Sequence, residues 1–283
     1  YAALLCSSMV LSLVSMPVSA AETGQLTNPP TSTEGPGSPE SASGNEAAAV
    51  LNGLYAALPV ANGVKEVATA EELTDALADS SISIITLKDD VEISSTLTVN
   101  RTVTLDLNGN VLKMTGSDSV IKVEADGDLT IQDRNTTTQH TFNPHCKYQF
   151  WYIDMWELDK DGSEIVSGGV ITGGGGDQNN GGGVLVAGGT LTGGSIVGCS
   201  ARSRGGGVYL GKDSDTGKSG TFIMTSGSII GCAAQLGGGV YVTSGCTFVM
   251  ATSSNIHNCI ANNDGGGVIN HGTFQMRGGT IST

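Results

Sequence analysis

Residues 237–261 read GGGVYVTSGCTFVMATSSNIHNCIA, and the same pattern returns along the second half of the chain. Gly-Gly-Gly-Val stands at 181–184, 205–208, 237–240 and 265–268. A threonine with an apolar neighbour follows, at Thr190-Leu191, Thr221-Phe222, Thr247-Phe248 and Thr273-Phe274, the threonines 31, 26 and 26 residues apart. An isoleucine comes next, at Ile196, Ile229, Ile256 and Ile281. In the first three units a cysteine lies three residues on and an alanine five: Cys199/Ala201, Cys232/Ala234 and Cys259/Ala261. Each unit divides into three short strands, G-G-V-Y-V, G-T-F-x-M and G-S-I-x-G-C, with glycine-rich corners. A unit this small cannot close a core alone, but successive units can stack. Three strands per turn, parallel from turn to turn, make an all-β, right-handed parallel β-helix solenoid. Inward Val, Ile, Phe and Cys then meet their counterparts one coil away, at about 4.8 Å.

Upstream the strand pattern continues without the glycine triplets, in Ile82–Leu87, Val91–Val99, Val103–Leu107, Val111–Met114, Val120–Val123 and Leu129–Ile131. Strands spaced this tightly leave no room for crossover helices. Ahead of them Thr69 and Glu72 form an S/T-x-x-E capping box. Leu73, Ala76 and Leu77 supply a helical stripe, so Thr69–Asp79 is expected to be a capping helix on the first coil. Two departures interrupt the period. GKDSDTGKSG at 211–220 is a long polar corner, and 134–166 inserts six aromatics and two histidines. Insertions in a solenoid map to loops on one face, often the binding face. Its aromatics Phe142, Tyr148, Phe150, Trp151, Tyr152 and Trp156 are candidate stacking platforms for a glycan or a protein partner. They equally suit packing of the insertion against the side of the coil, because 33 inserted residues need apolar mass to become ordered.

The first residues 1–21 read as a secretory signal lacking its basic start, with Val18-Ser19-Ala20-Ala21 suiting signal peptidase. Residues 22–46, rich in Pro, Ser, Gly, Thr and Glu, read as a disordered linker. The β-helix domain is expected over 47–283, with its N-terminal cap at 47–90 and its glycine-rich coils at 167–283. A mature chain of this kind has no membrane span and is secreted or held at the cell surface. Without Cys6, five cysteines remain, an odd number that does not read as a disulfide framework. Cys199, Cys232 and Cys259 read as a buried structural ladder of thiols.

Of 283 residues 42 are glycine, and the formal charge is −14. That balance argues against nucleic acid as the main partner. Residues 1–180 carry 8 Lys/Arg against 24 Asp/Glu, whereas 181–283 carry 5 against 3 and no glutamate.

The segment ATAEELTDALADSSISIITLKDDVEISSTLTVNRTVTLDLNGNVL, then LTIQD, then the repeats of GGGVYV, GTFxM and GSIxGCxA, resembles the pectin-lyase-like β-helix surface proteins of Gram-positive gut bacteria. The resemblance covers about residues 65–283 and implies export and an adhesive or display role, mostly without catalysis. Lyases and hydrolases share the fold, so an enzyme is the alternative to test. A lyase needs clustered carboxylates for Ca²⁺ and a base, and a glycosidase needs two carboxylates across the scissile bond. The coils from 181 onward offer only Asp213, Asp215 and Asp264. Asp89-Asp90 and Asn270-His271-Gly272 are scraps of a polygalacturonase pattern. The Walker-like stretch Gly211–Ser219 has the wrong spacing and precedes a strand instead of a helix. Asp159–Glu164 lacks the spacing of an EF-hand loop, and His140, His145 and Cys146 lack a fourth partner for zinc. The sequence therefore assigns no catalytic residue, no metal and no cofactor. It points to a non-catalytic adhesin or display stalk contacting a host or cell-wall polysaccharide or a surface protein. The alternatives are a polysaccharide lyase or glycoside hydrolase, and a purely structural spacer.

Overall fold

The computed structural model describes residues 63–147, 154–175, 180–188, 190–192 and 195–282. The signal and linker expectations, with residues 47–62 of the expected cap region, lie outside them. The described chain is a parallel β-helix solenoid. Wall one stacks β2 (Ile82–Leu87), β5 (Thr102–Asp106), β8 (Asp128–Gln132), β14 (Thr190–Thr192), the first halves of β18 (Thr221–Ile230) and β21 (Thr247–His257), and β24 (Thr273–Met276). Wall two stacks β3 (Val91–Ile93), β6 (Val111–Met114), β12 (Val170–Thr172), β15 (Ile196–Val197), the second halves of β18 and β21, and β25 (Thr280–Ser282). The long strands β18 and β21 join these walls into one 13-stranded sheet, with β1 (Gly63–Val67) at its edge beside β2. Wall three is β4 (Leu97–Val99), β7 (Ile121–Val123), β13 (Val184–Val186), β17 (Val208–Leu210), β20 (Val240–Val242) and β23 (Val268–Asn270).

The repeat is in register from coil to coil. Thr221-Phe222 pairs with Thr247-Phe248, which pairs with Thr273-Phe274, and Ile229 pairs with Ile256, which pairs with Ile281. Phe222, Phe248 and Phe274 accordingly stack face to face, at centroid separations of 5.0 and 4.9 Å and with planes within 10° of parallel. Phe222, Phe248, Ile229, Ile256, Met224 and Met250 are buried.

The coil differs from three strands per turn in its later turns. A fourth short strand follows each ladder cysteine, as β16 (Ser200–Arg204), β19 (Ala233–Leu236) and β22 (Ile260–Asp264). These segments carry few strand-forming residues, and the glycine triplets account for their position. A Cβ on Gly182 would fall 2.0 Å from the Ser200 carbonyl oxygen. On Gly206 it would fall 2.4 Å from that of Ala233, and on Gly238 2.3 Å from that of Ile260. The triplets therefore pack backbone against the fourth wall, and only glycine permits the approach. The third glycines, Gly183, Gly207 and Gly239, sit over Ile196, Ile229 and Ile256, and a Cβ on each would fall 3.4 Å from the sulfur of Cys199, Cys232 or Cys259. Triplet and cysteine recur together because they share one tight corner.

At the N-terminal end α1 (Ala70–Ala78) covers the first coil, burying Leu73 and Ala76. The Thr69 hydroxyl accepts from the Glu72 amide, and the Glu72 carboxylate accepts from the amide of Ala68, one residue before its expected partner. No basic residue lies in the last turn of α1. Arg101 of the next coil compensates, donating to the carbonyls of Ala76, Leu77 and Ile82 at 2.9, 2.9 and 2.7 Å. This satisfies carbonyls that a helix end leaves open and opposes the helix dipole. Arg101→Met is expected to cost about 2 kcal/mol, the usual worth of hydrogen bonds to a charged donor. Hydrogen exchange would place that loss in 70–87 and leave the glycine-rich coils unchanged.

Candidate binding surfaces

The insertion leaves the coil between β8 and β12, at the corner joining walls one and two. Its strands β9 (Gln139–Lys147), β10 (Asp154–Leu158) and β11 (Glu164–Ser167) form an antiparallel sheet in the order β10-β9-β11. Beneath it the coil closes directly, with Val170 pairing Val111. Asp133 ties the two ends of the excursion together. One carboxylate oxygen accepts from the Gly109 amide at 2.7 Å, and the other accepts from the Gly169 amide at 2.8 Å. Asp106, fully buried one coil below, accepts from the Asn108 amide, the Gln132 side chain and the Arg134 amide and guanidinium. Asp90 accepts from the Val111 amide at 2.8 Å. These carboxylates hold backbone.

Phe142 and Trp156 are buried, 6.3 Å apart, in a second apolar cluster with Val111, Val166, Val170, Val197 and Ile230. They fasten the lobe to wall two. Tyr148, Phe150, Trp151 and Tyr152 lie outside the described residues. The Trp156 amide donates to the Gly231 carbonyl at 3.0 Å, and its ring meets His257 edge-on at 6.3 Å. Burial beside the indole lowers the pKa of His257. Gly198 and Gly231 have φ of +59° and +57°, and the equivalent corner one coil further on is Asn258 at +54°. Asparagine tolerates that region. The first two corners need glycine for a second reason, since a Cβ on Gly231 would fall 2.1 Å from the Trp156 ring. Gly231→Ala is expected to lift the lobe while the coil persists. The check is acrylamide quenching of tryptophan fluorescence, which rises if Trp156 becomes accessible, with far-UV dichroism unchanged.

The corner 211–220 is a pinned turn. Lys212 and Ser219 bridge across it, and Asp213 accepts from the amides of Asp215 and Thr216 and from the Thr216 hydroxyl. The Thr216 bonds hold the Asp213 carboxyl below its ordinary range. Lys218 pairs with Asp126 from an earlier coil. In the lobe the His140 Nε2 lies 3.0 Å from the Gly109 carbonyl oxygen, and His145 lies beside Asp154. Among the described residues no group of three His, Cys, Asp or Glu is placed to hold a metal ion.

Cys199, Cys232 and Cys259 follow one another on consecutive coils as free, buried thiols. Burial pushes Cys199 and Cys259 well above the ordinary thiol range. Cys246, outside this column, is buried under the 211–220 corner, 3.0 Å from the Gly211 carbonyl oxygen.

One group escaped the reading of the sequence. Wall three turns Leu185, Tyr209, Tyr241 and Ile269 to its outer face in register. The Tyr209 and Tyr241 rings stack at 5.8 Å, within 18° of parallel. The Arg204 guanidinium lies 5.3 Å over Tyr241, and His271 lies 5.5 Å from the same ring. The alternation in G-G-V-Y-V contained the signal, because Val208/Leu210 and Val240/Val242 face inward and the residue between them must face out.

Among the described residues no helix is long and apolar enough to cross a membrane. Comparison found no match among curated proteins and none among solved structures. Residues 64–174, which span the capping helix, the first coils and the lobe, match the family described as "Putative pectate lyase-like adhesive domain". Parallel walls, capped first coil and matched segment together make this chain similar to the pectin-lyase-like β-helices with an adhesive role.

Proposed function

We propose that this chain is an exported adhesin or display stalk at the cell surface, a rigid β-helix that presents the 134–166 lobe and the 211–220 corner to a surface glycan or protein. The similarity of residues 64–174 to an adhesive domain carries this reading. The lobe supports it, being a separate antiparallel sheet seated on a coil that closes without it. The engagement of Asp90, Asp106 and Asp133 with backbone amides favours binding over catalysis. A shallow contact made by two projecting elements suits capture of a large polymer or protein better than enclosure of a small molecule.

The test removes residues 134–166, with Val197→Thr and Ile230→Thr to keep the uncovered wall soluble. The intact and deleted proteins are passed over immobilised mucin, cell-wall polymer and matrix protein. The expected result is an unchanged β-sheet dichroism spectrum and a retention at least tenfold weaker. Unchanged retention would take the contact away from the lobe, and loss of the β-sheet signal would make the lobe part of the core.

A further inference from the structure

Wall two carries an outward row that runs in register across the last coils. Val197 pairs with Ile230, Ile230 with His257 and His257 with Ser282. The lobe covers the start of this row, where Val197 and Ile230 are buried in one cluster with Phe142 and Trp156. Ser282, at the other end, is exposed. His257 is therefore the rim of the lobe's footprint, half-buried against the Trp156 ring 6.3 Å away. Backbone bonds converge on the same point. The Trp156 amide donates to the Gly231 carbonyl, and the Gly231 amide donates in turn to the His257 carbonyl at 3.2 Å. Indole, glycine corner and imidazole make one seat.

The groups around this seat offer little to a cation. β18 brings Ile230 to His257, β25 brings Ser282, and β21 itself flanks it with Asn255 and Asn258. β10 brings Trp156, while its Glu157 is exposed opposite Asn143 and its Asp154 lies beside His145. Among the described residues no carboxylate pairs with His257. A proton added to the imidazole thus gains most from water, and water enters only as the indole moves off. Burial lowers the His257 pKa, the direction that this competition requires. The seat is then at full strength above about pH 6.5, the value of a free imidazole, and is lost as pH falls through the docked value. The histidines of the lobe itself do not share this sign. His140 faces the Gly109 carbonyl oxygen, which a protonated ring still satisfies, and a charged His145 pairs more firmly with Asp154.

We propose that the lobe is held on wall two by an acid-labile latch, in which uptake of a proton from solvent by His257 releases the Trp156 edge and uncovers the apolar row Val197–Ile230. The inference does not depend on what the lobe binds.

The experiment uses the intact chain carrying Trp151→Phe, so that Trp156 is its one indole. Acrylamide quenching is followed from about pH 7.5 to about pH 5.5, a window above the titration of ordinary carboxylates near 4. The quenching constant is expected to rise at least about twofold toward the acid end with far-UV dichroism unchanged. Adding His257→Gln is expected to remove that step. A second measurement stands apart from how this variant folds. Nuclear magnetic resonance reads the His257 pKa directly, and since proton and indole compete, Trp156→Ala must raise it by as much as protonation weakens the seat. The pKa is expected to move up toward about 6.5, with a tenfold change in proton affinity for each unit. An unchanged pKa in Trp156→Ala would overturn the proposal. A lowered one would overturn it too, by showing that the indole face holds the cation. So would a quenching step that is absent, that persists in His257→Gln, or that comes with loss of β-sheet dichroism.

Discussion

Phe248→Ala is expected to lower the free energy of unfolding by about 3–5 kcal/mol, the range for removing a fully enclosed phenylalanine from a core. The ring lies between Phe222 and Phe274 at 5.0 and 4.9 Å and is inaccessible to solvent. Neighbours fixed in hydrogen-bonded walls on either side cannot collapse into the space. In a solenoid each coil contacts only its neighbours, so the loss also breaks the coupling between coils. The urea transition should therefore broaden or split as well as shift. The control is Phe274→Ala on the last described coil, where the ring is only half buried, with an expected cost less than half as large. A single sharp transition and equal costs for the two variants would show that the stack is not what joins the coils.

The second large effect concerns a residue with no side chain. Gly206→Ala places a methyl group 2.4 Å from the Ala233 carbonyl oxygen and 2.5 Å from that of Gly238. Both obstacles are backbone, so no rotamer change can relieve them. Relief requires the fourth wall to move off the triplet, and overpacking of this kind costs about 3 kcal/mol. The check is solvent access to the thiol column. Cys232, buried under Gly207, should react with a thiol reagent in the native variant and remain protected in the unaltered protein. Gly217→Ala serves as the comparison, since a Cβ there meets nothing within 4 Å, and its φ of +71° leaves only a local backbone cost. If Cys232 stays protected in Gly206→Ala, the triplets do not set the separation of the walls.

Phe248 and Gly206 also differ in how far the sequence alone reveals their roles. The period of Thr247-Phe248 and Ile256 revealed the walls because burial on every coil repeats the same residue types. The capping helix was legible from Thr69, Glu72 and Leu73, all local signals. The fourth strand was not, because ARSR, AAQL and ANND lack strand-forming residues, and their place is dictated by the absence of a Cβ on the glycines opposite. Arg101 and Asp133 act between coils, 25 and 36 residues from the partners Ala76 and Gly169. No short-range pattern announces such ties. For the lobe the sequence left two roles open. Phe142 and Trp156 take the packing role, while a binding role for Tyr148, Phe150, Trp151 and Tyr152 is part of the proposal.

The direct pairing of Val170 with Val111 beneath the lobe bears on how such a surface can diversify. The strand register on either side of the excursion is set by the walls and by the Gly109 and Gly169 amides that Asp133 holds, and none of these depends on how many residues the excursion contains. Lengthening a loop whose ends are already fixed adds only a slowly growing entropic cost. Sequence between 134 and 166 can thus be lengthened, shortened or exchanged without shifting the phase of any later coil, provided that something apolar still covers Val197 and Ile230. Selection for a new partner can act there as on a replaceable cassette, while the solenoid that carries it is inherited unchanged.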